Sequence, residues 1–332
     1  MKKEKVLITG VAGLLGSHFS RHLLDKGYEV IGIDNLSGGY SDYIDSGVEF
    51  INIDLLDSKS LNEVFEKFKP DYVYHFAAYA AEGLSPFIRN FNYSNNVLCS
   101  INIINNCINH DTKKVIFTSS MAVYGVGNPP FKEDQLPSPV DPYGIAKYTV
   151  EQDLKQANDQ FGLRYSIIRP HNVIGIYQNI WDNYRNVIGI WIRKALNGEN
   201  LSIYGDGLQK RAFSDIKFYM EPFEKMMVGF DSEIFNIGAD QEIAIIDAAK
   251  MVANIANSDG INIKLDFLEP RHEVKFAYSD HTKSKELLGF SDDTNLYETV
   301  KEMYDWAKTQ PVRDIKMMDY EVDKNIYSFW KK

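Results

Sequence analysis

Tyr143 and Lys147 stand four residues apart in "DPYGIAKYTVE", a spacing that on a helix projects a phenol and an ammonium from one face. A phenol titrates near pH ~10, so acting as a base near neutrality requires about 4 kcal/mol of preferential stabilisation of the phenolate. A neighbouring cation supplies stabilisation of that kind. Upstream, "FTSSMAVYG" sets Ser119 and Ser120 at the end of an apolar, β-rich run and follows them with Met121 and Ala122, which carry no titratable proton. A phenol tuned in this way, with serine hydroxyls upstream, is a candidate general base.

The second constellation is "TGVAGLLGS", with Gly10, Gly13 and Gly16 between an apolar run and an amphipathic one, and with Leu14 and Leu15 at the start of the latter. Missing side chains there let backbone amides and a helix N-terminus approach a pyrophosphate. The spacing is G-x-x-G-x-x-G, and context strengthens it. Eighteen residues after Gly16, "GIDN" brings Asp34 and Asn35 to the end of the next strand. A carboxylate at that place accepts the two ribose hydroxyls of an adenosine and disfavours the additional phosphate of NADP. In "DLLD", Asp54 and Leu55 offer an edge and a face to an adenine ring.

These residues need a scaffold. The runs "KVLITG", "EVIGID", "VEFINID", "YVYHFAA", "KVIFTSS" and "RYSIIRP" read as strands separated by helical stretches, the signature of a parallel sheet. "LLGSHFSRHLLDKG" carries a helical apolar stripe that stops at Gly27, and "LNEVFEKF" one that stops before Pro70. Each fits a crossover helix. After "RPHNV" the alternation is lost. The expected fold is therefore α/β: a doubly wound parallel sheet over residues 1–172 and a smaller mixed α/β unit over 173–332, with some segments returning to the first. The tail after Pro311 shows no periodicity and is assigned no structure.

The chain has 332 residues, 44% of them hydrophobic, enough for a sizeable core, and a formal charge of -10 that disfavours nucleic acid and anionic membranes. No run approaches a membrane span, and two cysteines, Cys99 and Cys107, make no disulfide framework. A cytoplasmic location is expected. His18 and His22 have a metal-like spacing but no third ligand, so no metal is expected. His75 and His171 follow buried strand ends, where a satisfied core histidine is common. Val97, Ile101, Ile104 and Ile108 form a helical stripe suited to core packing or a dimer face.

Taken with "IDN", "HFAA", "RPHNVIG", "LSIYGDG", "RAFSDI" and "PRHEVKFAYSDHTKSKELLGF", these motifs resemble the extended short-chain dehydrogenase/reductase family nearly end to end. Within that family the likeness is to the NAD-dependent nucleotide-sugar 4-epimerases. The resemblance implies a Rossmann-type domain holding NAD and a smaller domain clamping a nucleotide diphosphate sugar, UDP-linked by preference, in a homodimer. It implies Ser120, Tyr143 and Lys147 as catalytic residues, Lys147 also meeting the nicotinamide ribose. Phe76, Ala77, Ala78, Asn96, Ser119, Pro170 and His171 match cofactor-pocket positions. Asn172, Asn186, Val187, Ser202, Tyr204, Arg211 and Arg271 match substrate positions, the arginines neutralising phosphates.

Related 4,6-dehydratases place an Asp and a Glu directly after the catalytic hydroxyl residue, decarboxylases keep a Glu in the second place, and a 3,5-epimerase uses a Cys there. Met121 and Ala122 do none of this, which favours plain inversion at C4 by transient oxidation, turning of the keto sugar and hydride return. A net dehydrogenase or reductase, an epimerase at another carbon and a non-catalytic NAD-binding sensor are the alternatives. The loop "YAAEGLSPFIRNFNYSNN" departs from the family pattern at Glu82, Phe87, Arg89 and Phe91, with core packing the expected role of the two phenylalanines. "PRHEVKFAYSD" reads one residue short. Aligned from Asp280, Ala277 stands where a bulky tyrosine restricts some relatives to plain hexoses, so a 2-acetamido sugar is expected to fit.

Overall fold

In the computed structural model, which describes residues 3–271 and 276–331, each of the six apolar runs of the first half forms a strand. They are β1 (Lys5–Thr9), β2 (Glu29–Asp34), β3 (Glu49–Asn52), β4 (Tyr72–His75), β5 (Lys114–Thr118) and β6 (Tyr165–Pro170). A seventh, β7 (Glu233–Ile237), returns from the second half to pair with β6. The sheet is parallel throughout, in the order β7-β6-β5-β4-β1-β2-β3. This is the doubly wound Rossmann arrangement. Its strand order reverses between β1 and β4, so the loops leaving these strands diverge and open a crevice at their carboxyl ends.

The strands are apolar because both faces are covered. Phe19 and Leu23 of the helix Leu14–Asp25 meet Phe223, Met226 and Met227 of the helix Met220–Val228 over one face. On the other, Leu61 and Phe65, Ile103 and Cys107, and Val150 and Leu154 come from three successive helices. Of the expected stripe of Val97, Ile101, Ile104 and Ile108 only Ile104 is fully buried, with Ile108 at the edge of the core: the helix Cys99–Asn109 turns Cys99, Ile103, Ile104 and Cys107 inward.

A second core joins the helices Val187–Leu196, Ile245–Ser258 and Leu296–Lys308 to the parallel strand pair Leu201–Tyr204 and Leu265–Leu268. Three short strands, Glu242–Ala244, Lys210–Ala212 and Phe276–Ala277, stand beside it. The tail also differs from expectation. Its described residues form little regular structure, a bridge from Lys316 to Asp182 and a short 3-10 turn at Ser328–Trp330, yet it is packed: Ile326 and Trp330 are buried with Tyr79, Leu84, Phe87 and Ile88 of the unusual loop after β4. Sequence periodicity cannot register such packing, because aromatic contacts across the chain replace a helical or strand repeat.

Candidate active site

A cleft of about 1440 Å³ runs along the carboxyl ends of the strands and between the two cores. It exceeds the usual volume of a site for one small ligand, roughly 300 to 1,000 Å³. Gly10, Gly13, Leu14 and Leu15 line its Rossmann end. Gly10 has φ +72°, and a Cβ there would lie 2.8 Å from the Ala77 nitrogen, so the loop touches the end of β4 backbone to backbone. A Cβ on Gly16 would sit 2.3 Å from the Gly10 oxygen. Gly16 therefore serves close helix-to-loop packing and does not line the cleft. Gly13 caps the helix Leu14–Asp25 with no side-chain bond to its first-turn amides, which leaves the positive helix end to an anion.

Asp34 ties the next loop to this one: its carboxylate accepts hydrogen bonds from the Ala12 nitrogen at 3.0 Å and the Leu36 nitrogen at 2.8 Å. Burial raises its pKa, and those two amides oppose the shift. Asn35 donates to Asp54 at 2.9 Å, while Leu55 is buried beside them on the cleft wall. Phe76 contributes its backbone, since its ring packs on Phe19 and Phe223. Ala77, Ala78, Pro170 and His171 line the cleft as expected. Asn96 does not. It is buried behind the wall, where it accepts from the Tyr79 nitrogen at 2.9 Å and donates to Asn92, and its neighbour Asn95 reaches the cleft instead. The glycine loop with its bare backbone amides, the open helix end and the anchored Asp34 fit a dinucleotide.

Tyr143 and Lys147 lie on the helix Pro142–Phe161, whose start is set by Asp141: its carboxylate accepts from the Gly144 nitrogen at 2.9 Å, and Pro142 occupies the first turn. A cap of this kind contributes about 1 kcal/mol. The helix stops at Gly162 in the left-handed conformation. Ser120 opens the short turn Met121–Tyr124, its hydroxyl accepting from the Ala122 nitrogen at 3.1 Å. Ser120, Met121, Ala122, Tyr143 and Lys147 all line the cleft. The two positions without proton chemistry thus face the same space as the phenol.

The electrostatics of this group differ from the expectation that Lys147 tunes the phenol. Burial pushes the Tyr143 pKa well up, the Glu82 carboxylate adds to the rise, and the Ser120 hydroxyl and the Arg185 guanidinium oppose it. Lys147 aims its ammonium elsewhere: Nζ donates to the Thr118 carbonyl at 2.7 Å and stands 5.9 Å from the Tyr143 ring centroid. Burial lowers the Lys147 pKa to about 7. Ser119 is also committed, donating its hydroxyl to Glu151, so only its backbone is free to meet a ligand.

At the opposite end the substrate positions gather from separated segments. Asn172, Asn186, Val187, Ser202, Tyr204, Arg211, Arg271 and Ala277 all line the cleft. Asn186 is occupied as a helix cap, accepting from the Ile188 nitrogen at 3.1 Å and donating to the Val173 carbonyl at 3.0 Å. Ser202 accepts from Lys194 at 2.8 Å. Ala277 pairs with Arg211 across adjacent parallel strands. The segment "PRHEVKFAYSD", which reads one residue short, includes residues 272–275, which lie outside the described residues. His75 is a satisfied core histidine, bonded to Thr9 at 2.7 Å and Ser100 at 2.8 Å. His171 stacks on His281, nitrogen to nitrogen at 3.0 Å.

Several lining residues escaped the sequence reading. Arg185 donates to Asp182 at 3.0 Å and covers the Tyr79 ring at 4.7 Å, and Met317, Asn325, Tyr327, Phe329 and Trp330 come from the tail. Their only sequence signal was the aromatic density of that tail. Phe87 meets the expectation of packing, against Tyr327 and Trp330, but it also reaches the cleft wall, whereas Phe91 packs on Tyr79. His18 and His22 find separate partners, the Ile176 carbonyl and Glu224. Among the described residues, no helix is long and apolar enough to cross a membrane.

The chain is similar to known proteins over most of its length. The family model described as the NAD dependent epimerase/dehydratase family matches residues 6–238. A putative UDP-glucose 4-epimerase of Methanocaldococcus jannaschii is 34% identical over 309 residues, 91% of this chain and 98% of that protein. A UDP-N-acetyl-alpha-D-glucosaminuronate decarboxylase of Bacillus cytotoxicus is 31% identical, over 92% of this chain and 98% of that one. The solved UDP-N-acetylglucosamine 4-epimerase of Methanobrevibacter ruminantium, in complex with UDP-N-acetylmuramic acid, superposes with a TM-score of 0.85 at 30% identity, covering 94% of this chain and 100% of that one.

Proposed function

This chain belongs to the NAD-dependent epimerase/dehydratase family, and we propose that within it the protein is a nucleotide-sugar 4-epimerase acting on a UDP-sugar. The observation that carries this reading is the wall on which Ser120, Tyr143 and Lys147 meet while Met121 and Ala122 face the same cleft without an acid or base. The Gly10 to Leu15 loop, Asp34, Asn35, Asp54 and Leu55, and the backbone at Phe76 to Ala78 and at Pro170, would hold the dinucleotide. When bound, NAD supplies a reversible hydride acceptor and a positive charge beside the phenol.

Tyr143 accepts the proton of the sugar 4-hydroxyl and returns it after the keto sugar has turned. Ser120 orients that oxygen through its hydroxyl. With burial and Glu82 both raising the phenol, the protein alone keeps Tyr143 protonated, and the incoming positive charge shifts it toward the phenolate. Lys147, fixed by the Thr118 carbonyl, would offer its remaining N–H bonds to the ribose hydroxyls. Arg211 and Arg271 neutralise the diphosphate. Ala277, a small side chain on the wall, leaves room for a 2-acetamido group. Exposed Leu98 and Ile145, on neighbouring helices, suit a homodimer interface, which light scattering would test.

Glu82 carries a second reading. A carboxylate lining the cleft and bearing on Tyr143 could remove a proton from a carbon next to the C4 ketone, which would invert that carbon instead. Incubation with UDP-glucose and UDP-N-acetylglucosamine in deuterium oxide, followed by NMR of the anomeric and ring protons, separates the two. Plain 4-epimerisation yields the galacto products with no deuterium on carbon, whereas deuterium at C3 or C5 supports the second reading. No change in either sugar, with NAD bound, removes these substrates.

A further inference from the structure

We infer that the tail over residues 320–330 is a built part of the diphosphate end of the cleft, holding Arg271 in an aromatic cage. The inference rests on the nucleotide-sugar reading above. The Arg271 guanidinium carbon lies 3.5 Å from the centroid of Tyr204, 5.2 Å from Phe329 and 5.0 Å from Trp330. Tyr204 and Phe329 also contact each other, with centroids 4.6 Å apart, and Phe329 stacks on Tyr327 at 5.1 Å with planes 7° apart. Two of the three cage rings thus come from the tail. Aromatic faces attract the cation without bonding its N–H groups, and the buried Nε has no hydrogen-bond partner among the described residues. A guanidinium so held, on the cleft wall, keeps its terminal amino groups for an oxyanion, in a planar fork that matches phosphate oxygens.

The tail is anchored on both sides of that cage. Ser328 donates through its backbone nitrogen and its hydroxyl to Glu269, at 2.9 and 2.6 Å, two residues before Arg271. The Glu321 carboxylate accepts from the backbone nitrogens of Asn90 and Phe91, at 2.6 and 2.8 Å, at the unusual loop. Tyr320 closes the segment on itself by donating to the Trp330 carbonyl at 3.0 Å. The tail therefore couples the loop after β4 to the arginine. Its aromatic residues act as positioning residues: they decide where the charge of Arg271 sits, and so how tightly a nucleoside diphosphate binds.

The test is calorimetric titration of UDP into the NAD-loaded, full-length protein and its variants, with bound NAD measured in parallel. Phe329→Leu and Trp330→Leu, which keep apolar bulk but remove the ring, are expected to weaken UDP about tenfold, in line with a desolvated cation–π contact. Phe329→Tyr restores wild-type affinity. Bound NAD stays at the wild-type level in all three. Unchanged UDP affinity in both leucine variants overturns the inference, as does joint loss of NAD and UDP, which would make the tail a general folding element. A wild-type protein that binds no UDP overturns the proposed function itself, a result the variants cannot mimic.

Discussion

Two buried cations lean on neighbouring turns of one helix, Pro142–Phe161, and are treated in opposite ways. Arg169, at the end of β6, meets Glu151 through two hydrogen bonds, Nε at 2.9 Å and Nη2 at 2.6 Å, and rests against the Tyr124 ring at 4.8 Å. Lys147, one turn earlier, has a backbone carbonyl as its bonded partner and the Phe117 ring at 4.8 Å. The first charge is compensated and holds the ends of β5 and β6 to the helix. The second is left undercompensated on the cleft wall, its pKa lowered to about 7 by burial and supported only by the charge of Glu151 nearby. Perturbed groups of this kind mark sites where folding stability has been exchanged for chemistry.

The contrast is broken most severely at the reacting phenol. Tyr143→Phe is expected to cut turnover about 10² to 10⁴-fold, the range of a general acid-base role, while bound NAD stays at the wild-type level. Turnover within tenfold of wild type would remove Tyr143 from the mechanism. On the structural side, Glu151→Gln strands the guanidinium of Arg169 and is expected to cost roughly 3 to 5 kcal/mol in denaturant unfolding. A loss under about 1 kcal/mol would make the pair ornamental and the comparison empty.

Lys147→Met sharpens the comparison through pH. The Lys147 pKa falls from 10.5 to about 7 in the folded chain, so between these values the unfolded state binds the additional proton. Stability of the NAD-free wild type should therefore rise with pH across that window, by at most about 1.4 kcal/mol per unit from this group. Below the window both states are protonated and the burial penalty is present in full. The variant should be the more stable protein there and should lose the slope, so parallel stability profiles for the two proteins would refute the assignment. The smallest effect is expected from Ser119→Ala. Losing the hydroxyl that bonds Glu151 should cost about 1 kcal/mol without lowering bound NAD, and a drop in NAD would return that hydroxyl to the cofactor.

Legibility in the sequence follows the range of the interactions involved. The glycine loop, the Asp34 position, the serine strand and the four-residue step from Tyr143 to Lys147 are local patterns, set within one strand, turn or helix, and residues alone were enough to find them. The place of Asn96 was not legible, because a residue on the cleft, such as Asn95, differs from one behind its wall by a single helical step, here within the π-type turn Ser94–Leu98. Glu82 and Arg185 lie more than a hundred residues apart and both bear on one phenol. No spacing rule connects them.

The alternation of apolar strands and amphipathic helices, the glycine geometry at a strand end and the residues bearing protons were determined by the sequence itself, because backbone sterics and burial act on near neighbours. Tertiary structure alone decided where the charges fall. It turned the Lys147 ammonium to Thr118 and away from the phenol, paired Ser119 with Glu151, returned β7 to the far edge of the sheet, and folded an aperiodic tail across the cleft to enclose Arg271. Electrostatic energies depend on distance and desolvation in three dimensions, and neither quantity exists until the chain has closed on itself.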